Sequence, residues 1–503
     1  MSRHTARAAL SLLLTALALG PVNGFAQAAA ATAPLTLEET IAAVMKKNFD
    51  IQVQAFSTET AKLNLEVAKA DFDPTVTASL NRNFSQAASA TSRLDGTSTT
   101  GPSNDNTTTR FGVSNKLPQT GGTVSLSTNL TRTATNSTNS LLNPSFGDSV
   151  SLSVNQPLLK NAGSTVAKAN IENSKLGLSI AVLAYRSRVL NVVAQTENAY
   201  YNLVSTRETL RIRQLSLDLA QKLFDENTAR RTTGLMTDLD VLTAENGVAT
   251  ARRAVLQADQ NVRNAEDALK TLMNAGDYDV RPGEVSLPEI TDATPNFAAS
   301  YKLVRENYPD TLSTEDQIKQ LEISLAVAKR NQLPQLDATA SLGYTGKATN
   351  QGYSELISDL PHNHGNNWAV GLSYSMPIGR RADQARYRSA TINLNSQKLR
   401  LEQLEQTLLV NVRTAIRSVE TNIASVAIAA KATELSQKTY EQQKARFDSG
   451  LSTSRLVLQE QDNLESARVS ELSAKVALRT ALVELHRLEG TSLRRFNIQI
   501  PGE

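Results

Sequence analysis

Two hydrophobic periods alternate along this chain. From Leu178 to Thr233 and from Arg381 to Ser449 there is no glycine or proline. In the first stretch Leu183, Leu190, Val193, Leu203, Leu210, Leu217 and Phe224 recur at threes, fours and sevens, with Glu, Gln, Arg and Lys between them. That spacing predicts helices packed side by side at shallow crossing angles. At 1.5 Å per residue the two rods would be roughly 80 and 100 Å long. Shorter helices are expected at 36–73, 235–275, 301–333 and 451–489, and the long ones at 158–233 and 378–449.

Between Pro74 and Pro157, and again between Pro334 and Pro377, the period changes to two. Val76, Ala78, Leu80 and Phe84 alternate with Thr77, Ser79, Asn81 and Asn83. Phe111, Val113 and Leu117 form a second such row, Val124, Leu126 and Leu130 a third, and Val150, Leu152 and Val154 a fourth. Leu336 to Tyr344 and Trp368 to Met376 supply two more. Six segments of about ten residues, apolar on one side and Ser, Thr, Asn or Gly on the other, fit membrane strands with lipid outside and water inside. A soluble β-sandwich also alternates. The polar rows of Ser, Thr, Asn and Gly with few charges, and the long polar connections at 92–109 and 133–149, favour the membrane reading.

The two periods occur twice in the same order. Ala229-Arg230-Arg231-Thr232-Thr233-Gly234-Leu235 returns as Ala445-Arg446-Phe447-Asp448-Ser449-Gly450-Leu451, an offset of 216. Leu272 and Leu488 share that offset, and Gln156-Pro157-Leu158 is echoed by Met376-Pro377-Ile378. Ordered self-similarity of this kind marks a tandem repeat. The expected organisation is a signal peptide at 1–28, a first repeat at 29–275 with strands about 74–157 and a turn at 233–238, and a linker at 276–300. A second repeat follows at 301–490, with strands about 334–377 and a turn at 449–454, and then a tail at 491–503. The paired short helices of each copy sum to about the length of its long helix, so end-to-end stacking would give each rod an antiparallel partner. The linker, with Pro282, Pro288 and Pro295, and both chain ends would then form a belt around the junction.

Composition narrows the class. Arg3 and Arg7, the apolar run Ala8–Gly20 and Ala26-Gln27-Ala28 read as a secretory signal. Its removal lowers the formal charge of +3 by two, to +1; nothing in that balance points to nucleic acid. There is no cysteine, which excludes disulfides, thiolate metal sites and a lipidated N-terminal cysteine. Past residue 28 no run approaching eighteen apolar residues is evident, so no membrane-crossing helix is expected. An exported chain without such helices is periplasmic, secreted or a β-barrel, and one chain has too few strands to close a wide barrel.

With these parts in order the chain resembles the TolC family of outer-membrane efflux proteins over nearly its whole mature length. The resemblance rests on the tandem copies, the stretches around Asn48 and Asn307-Tyr308-Pro309, and the Pro157 and Pro377 joints. It rests also on the turns in TGLMTDLDV (233–241) and SGLSTSRLV (449–457). It implies a mixed α and β membrane protein, with long antiparallel helical hairpins forming an α-barrel continuous with a transmembrane β-barrel closed by three chains. Implied with it are a homotrimer in the outer membrane, with its helical part in the periplasm, and docking of a periplasmic adaptor protein and an inner-membrane transporter at the tip. The chain would then be the passive exit duct of a tripartite efflux or type I secretion system.

On that resemblance Gly234, Leu235, Gly450 and Leu451 belong to the periplasmic tip that meets the adaptor, and Pro74, Pro157, Pro334 and Pro377 are helix–strand junctions. Two departures stand out. Members of the family typically contribute four strands per chain, whereas six are expected here. The acidic pair that narrows the family's entrance falls on Leu456 and Gln459. The candidate aperture charges are instead Asp238 and Asp240, with Arg455 opposite, where Asp–Arg pairing would hold the tip shut. Acidic residues at these positions also suit an ordinary first helical turn.

No enzyme is expected, and no cofactor or metal. His362 and His364 lie in a polar connection without an obvious carboxylate partner, and His486 sits beside Leu485 and Leu488. Ser341–Ala348 brushes against a phosphate-binding loop but lacks its first glycine and its final hydroxyl, and it lies in a strand. The competing classes are a trimeric surface adhesin and a periplasmic helical scaffold. The first would place its strands at the C-terminus; the second would leave the alternating segments without a role.

Overall fold

The computed structural model describes residues 34–88, 101–137, 139–288, 295–348 and 365–500. The expected signal peptide lies outside them, as do His362 and His364. The elements run α1 (Leu37–Lys47), α2 (Phe49–Ala70), β1 (Thr75–Gln86), β2 (Ser103–Lys116), β3 (Thr123–Thr135) and β4 (Ser145–Pro157). After a short turn of helix, α3 (Ser164–Ala167), come α4 (Ala169–Thr232) and α5 (Asp238–Met273). The second half holds α6 (Phe297–Asn307), α7 (Pro309–Arg330), β5 (Gln335–Ala348), β6 (Gly365–Ser375), α8 (Arg381–Asp448), α9 (Ser454–Glu489) and α10 (Ser492–Arg495).

Helices α4 and α5 form one hairpin, α8 and α9 another, and α9 also packs along α4. Helices α2 and α7 lie against α4, and α7 against α8. The stretch expected as one helix over 36–73 is broken at Asn48, whose side-chain oxygen accepts from the backbone N–H groups of Asp50 and Ile51 and so starts α2 afresh. The stretch expected over 301–333 begins at Phe297 and breaks at Tyr308, where Pro309 takes the first position of α7. The long helix expected from 158 begins only at Ala169. Asn161 and Gly163 hold positive φ (61° and 91°) in between, and a left-handed backbone cannot continue a right-handed helix.

The short helices stack end to end. At the joint of α2 with α5, Asn274 Nδ2 donates to the carbonyl of Lys47 at 3.4 Å. Around it lies one core of Leu37, Ile41, Val44, Val189, Val193, Tyr200, Tyr201, Leu203, Leu269, Val483, Leu493 and Ile500. Linker residues Val285 and Leu287 and tail residues Phe496 and Ile498 pack against it. Arg207 on α4 ties the linker down by donating to the carbonyls of Gly283 (2.5 Å) and Pro282 (2.8 Å) and to Glu266 on α5 (2.7 Å). A second core joins Val304 of α6 to Leu408, Val412, Ile416 and Val419 of α8 and Leu478, Leu485 and Leu488 of α9.

One 18-residue window of α4 reaches a mean hydropathy of 1.4, apolar enough by length and composition to cross a bilayer. This corrects the expectation that no such stretch follows residue 28. Only 22% of that window is buried within one chain, yet its helix carries Val189, Leu190, Val192 and Val193 in a packed seam, which is the place of a core helix.

All six strands form one antiparallel sheet in sequence order, β1 to β6. The polar connections expected at 92–109 and 133–149 are partly strand. β2 extends back to Ser103, β3 runs to Thr135 and β4 begins at Ser145, paired as Thr107 with Arg132 and Arg132 with Phe146. There, apart from Phe146 and Ala134, the side chains are mostly polar on both faces, so the ladder continues where the hydrophobic period has stopped.

Candidate conduction path and helical tip

The register aligns the alternating rows across all six strands. Val76, Val113, Leu126, Leu152, Leu342 and Trp368 stand opposite one another in turn, forming a single apolar line over the sheet. Among the described residues these side chains have little cover: Trp368 is 77% exposed and Val76 74%. Leu80, Val370 and Leu372 on the same face are also exposed. The opposite face carries Thr77, Gly112, Ser127, Ser151, Gly343 and Asn367 in the neighbouring row. There Arg110 Nε donates to Asn129 Oδ1 (2.6 Å), Asn129 Nδ2 to Ser149 Oγ (3.1 Å), and the Ser127 and Ser151 hydroxyls share a hydrogen bond of 2.9 Å. One face is therefore matched to hydrocarbon and the other to water. Among the described residues, edge strands β1 and β6 have no partner on their outer sides.

Pro74, Pro157, Pro334 and Pro377 all lie at one end of this sheet, where helix gives way to strand. Leu158 N donates to the carbonyl of Leu336 at 2.8 Å and Lys160 N to that of Pro334 at 3.2 Å, so the joints of the two halves are locked together. Proline suits such a point because it offers no N–H to the ladder and fixes φ.

The hairpin turns at the far end have the same construction. Gly234 and Gly450 both hold φ of +73°. Leu235 N donates to the carbonyl of Arg230 (2.9 Å) and Leu451 N to that of Arg446 (2.8 Å), while the glycine N–H groups reach Arg231 and Phe447. Each is a glycine C-cap that closes the last turn of a long helix. Leu235 is 76% and Leu451 71% exposed. Leu239 and Leu242 on the first turns of α5 are exposed beside them, and they were not singled out from sequence.

The three candidate aperture charges are not paired as expected. Asp238 forms its ion pair with Arg231, across its own turn, and not with Arg455. Asp240 accepts from the N–H and hydroxyl of Thr237 (3.1 and 2.7 Å), completing a capping box, and from the Ser454 hydroxyl of the other hairpin (3.4 Å). The Thr237 side chain, then its backbone N–H, hold the Asp240 carboxyl below the usual carboxylate range. Arg455 is exposed, and among the described residues no ion pair engages it.

A bridge between the hairpins lies just above the tip, and its members were missed in the sequence. Lys444 Nζ of α8 donates to Glu226 of α4 (2.6 Å) and to Asp448 (2.9 Å), and Arg230 reaches Asp448 at 3.3 Å. Beneath these charges the Phe447 ring is fully buried against Leu223 and Val457, with the Arg230 guanidinium 4.8 Å from its centroid. Farther up, the buried Gln461 Nε2 of α9 donates to the carbonyl of Ser216 at 2.7 Å. Only the repeated Ala-Arg before each Gly-Leu turn, at 229–230 and 445–446, marked this region in the sequence; the charge pairs between hairpins join residues about 218 positions apart.

Among the described residues no cluster of His, Asp or Glu could hold a metal ion. His486 is half-buried beside Arg495, and partial burial, then the neighbouring guanidinium, push its pKa down.

Residues 114–275 and 300–491 match the family model described as outer membrane efflux protein. Outer membrane protein TolC of Escherichia coli is 24% identical over 308 residues, which cover 58% of this chain and 60% of that protein. The match thus spans about three fifths of that relative's length. The solved outer membrane channel CmeC of Campylobacter jejuni superposes with a TM-score of 0.66 at 17% identity, covering 91% of this chain and 86% of the other. The outer membrane protein VceC of Vibrio cholerae gives a TM-score of 0.65 at 13% identity, over 90% of this chain and 96% of the other. At these identities the two structures speak for the fold.

Proposed function

This chain belongs to the outer membrane efflux protein family, and from that premise we propose that three copies close one duct through which substrates leave the periplasm. Its place is the outer membrane, with the helical part in the periplasm. The observation that carries the proposal is the apolar line from Val76 to Trp368 on a sheet whose two edge strands lack outer partners among the described residues. An exposed, long and apolar sheet edge is unstable alone; in lipid every backbone group must be paired, which only a closed barrel provides. Six strands from each of three copies would make a barrel of about eighteen, a size that leaves an aqueous channel.

The helices favour the same closure. Phe49, Phe56, Leu63 and Val67 on α2 and Ile392, Leu399, Val410 and Ile428 on α8 are exposed within one chain. Apolar stripes at helical spacing on both flanks call for neighbours of the same kind. With α4 and α8 as rods, the copies would prolong the barrel as an α-helical tunnel into the periplasm. At its tip the exposed leucines 235, 239, 242 and 451 would meet a periplasmic adaptor, and an inner-membrane transporter would supply energy and selectivity. The duct itself conducts passively. In this arrangement Asp238, Asp240 and Arg455 are repeated three times around the tip, and the Lys444–Glu226 and Arg230–Asp448 bridges hold the hairpins together in the closed state.

The test is single-channel recording in planar bilayers, with the particle mass measured in detergent. A trimeric mass with small, cation-biased openings is expected. A monomer that inserts no channel would overturn the proposal and return the chain to the class of helical scaffolds.

A further inference from the structure

On the outward face of the sheet, one row carries two like charges. Arg82, Thr107, Arg132 and Phe146 stand in register on β1 to β4, on the same face as Val76, Leu80 and Leu126. Arg82 lies six residues beyond Val76, about 20 Å farther along the strand from the proline junctions. One strand, β2, lies between the arginines, so they stand two interstrand steps, or about 10 Å, apart. Asp105, one row farther out, stands between them. Arg82 grips it with two hydrogen bonds, Nε to Oδ1 at 2.9 Å and Nη2 to Oδ2 at 2.7 Å, while Arg132 Nη1 approaches Oδ2 only to 3.9 Å. Thus one carboxylate orients two guanidinium groups and neutralises one of them. The Arg82 side chain is 71% exposed and that of Arg132 38%.

Charged side chains on a lipid-facing surface are costly at the bilayer centre and tolerated at its boundary, so this row marks the outer edge of the apolar band. Guanidinium groups there face the headgroups of the outer leaflet, and their planar donors match phosphate oxygens. We propose that Arg82 and Arg132, held apart and oriented by Asp105, form a binding site for the phosphate of an anionic membrane lipid on the outside of the barrel. The occupant is lipid rather than soluble phosphate, because the exposed Leu80 and Phe84, on either side of Arg82 along β1, and Leu130, beside Arg132 on β3, share this face and would meet acyl chains. This inference rests on the outer-membrane reading above.

The test uses the full-length protein reconstituted in phosphatidylcholine vesicles carrying a minor fraction of diphosphorylated lipid A, then extracted in mild detergent. The lipid retained per chain is counted by mass spectrometry. Removal of each arginine, R82Q or R132Q, is expected to lower lipid A retention about fivefold, and the double variant more. D105N keeps both arginines and is expected to retain as much lipid A or more. R110Q, on the water-facing side, should leave retention unchanged, and it shows that loss of an arginine does not by itself disrupt the sheet. Inorganic phosphate at matched concentration should not compete; full competition would assign the arginines to soluble anions and overturn the lipid site. Equal lipid A retention by wild type and the double variant, with phosphatidylcholine still bound to both, would overturn it as well. If no lipid of any kind accompanied the wild-type protein, the outer-membrane reading itself would fail.

Discussion

Asn48 Nδ2 donates to the main-chain oxygen of Leu272 at 3.0 Å, so a residue near the beginning of the described chain caps the end of a helix 224 positions later. The same side chain starts α2 with its oxygen. One amide thereby turns α5 and α2 into a continuous antiparallel partner for α4. Asn48→Ala removes both roles and is expected to cost about 1–2 kcal/mol, typical of a lost N-cap. Asn48→Asp keeps the cap but cannot donate to Leu272 and should fall between. Unfolding midpoints of the detergent-solubilised protein order the three.

Glu197 is fully buried on α4, with Oε1 unpartnered and Oε2 3.5 Å from Arg495 of α10. Burial pushes its pKa up from 4.5 to about 7, against the pull of Arg495. Because the folded state holds this proton more tightly than the unfolded chain, its contribution is fully present below pH 4.5 and is lost as pH rises through about 7. Glu197→Gln should therefore match wild type near pH 4 and exceed it above pH 8, by up to about 3 kcal/mol. Parallel wild-type and variant stability curves across that window would refute the assignment.

Lys444 bridges Glu226 and Asp448 between the two hairpins. Each such partly exposed pair is worth about 0–1 kcal/mol, but in the proposed trimer three copies of the bridge would act together at the tip. Glu226→Gln with Asp448→Asn is expected to raise the frequency of large openings in planar bilayers severalfold while leaving the sheet intact. Asp238→Ala, which removes only a contact within one turn, should change it less.

Gly234 and Gly450 have open space where a Cβ would stand. Alanine there costs only the left-handed backbone, about 1–2 kcal/mol at each turn. Thermal unfolding of G234A and G450A should show similar losses, since the two turns have the same φ.

Leu126 and Ser127 are adjacent in β3 and point to opposite faces. Leu126→Lys, on the exposed apolar line, should impair membrane assembly by about 2–4 kcal/mol at mid-bilayer depth. Ser127→Lys should assemble and shift the channel toward anions. If the two variants exchanged these outcomes, the inner and outer faces would have to be reversed.

What this sequence determines by itself is local and periodic. The 3.6-residue and two-residue spacings are properties of neighbours along the chain, so the rods around Leu203 and Val412 and the strands around Leu80 and Trp368 could be read directly. The turns at Gly234 and Gly450 were legible because only glycine reaches their φ at little cost. The family was legible because these parts recur in a fixed order. Breaks at Asn48 and Tyr308 were hidden because the hydrophobic stripe runs through them, although Asn before an acidic residue and Pro309 were the available signals. β2 between Ser103 and Thr109 was hidden for another reason: its pairing with β3 satisfies the backbone without any apolar period. Tertiary structure alone decided which distant residues meet. That Asp238 pairs with Arg231 and leaves Arg455 unengaged, that Lys444 reaches Glu226, and that Arg82 and Arg132 share one row all depend on register and helix rotation. Those quantities are set by packing over the whole molecule and leave no trace in the spacing of residues along the chain.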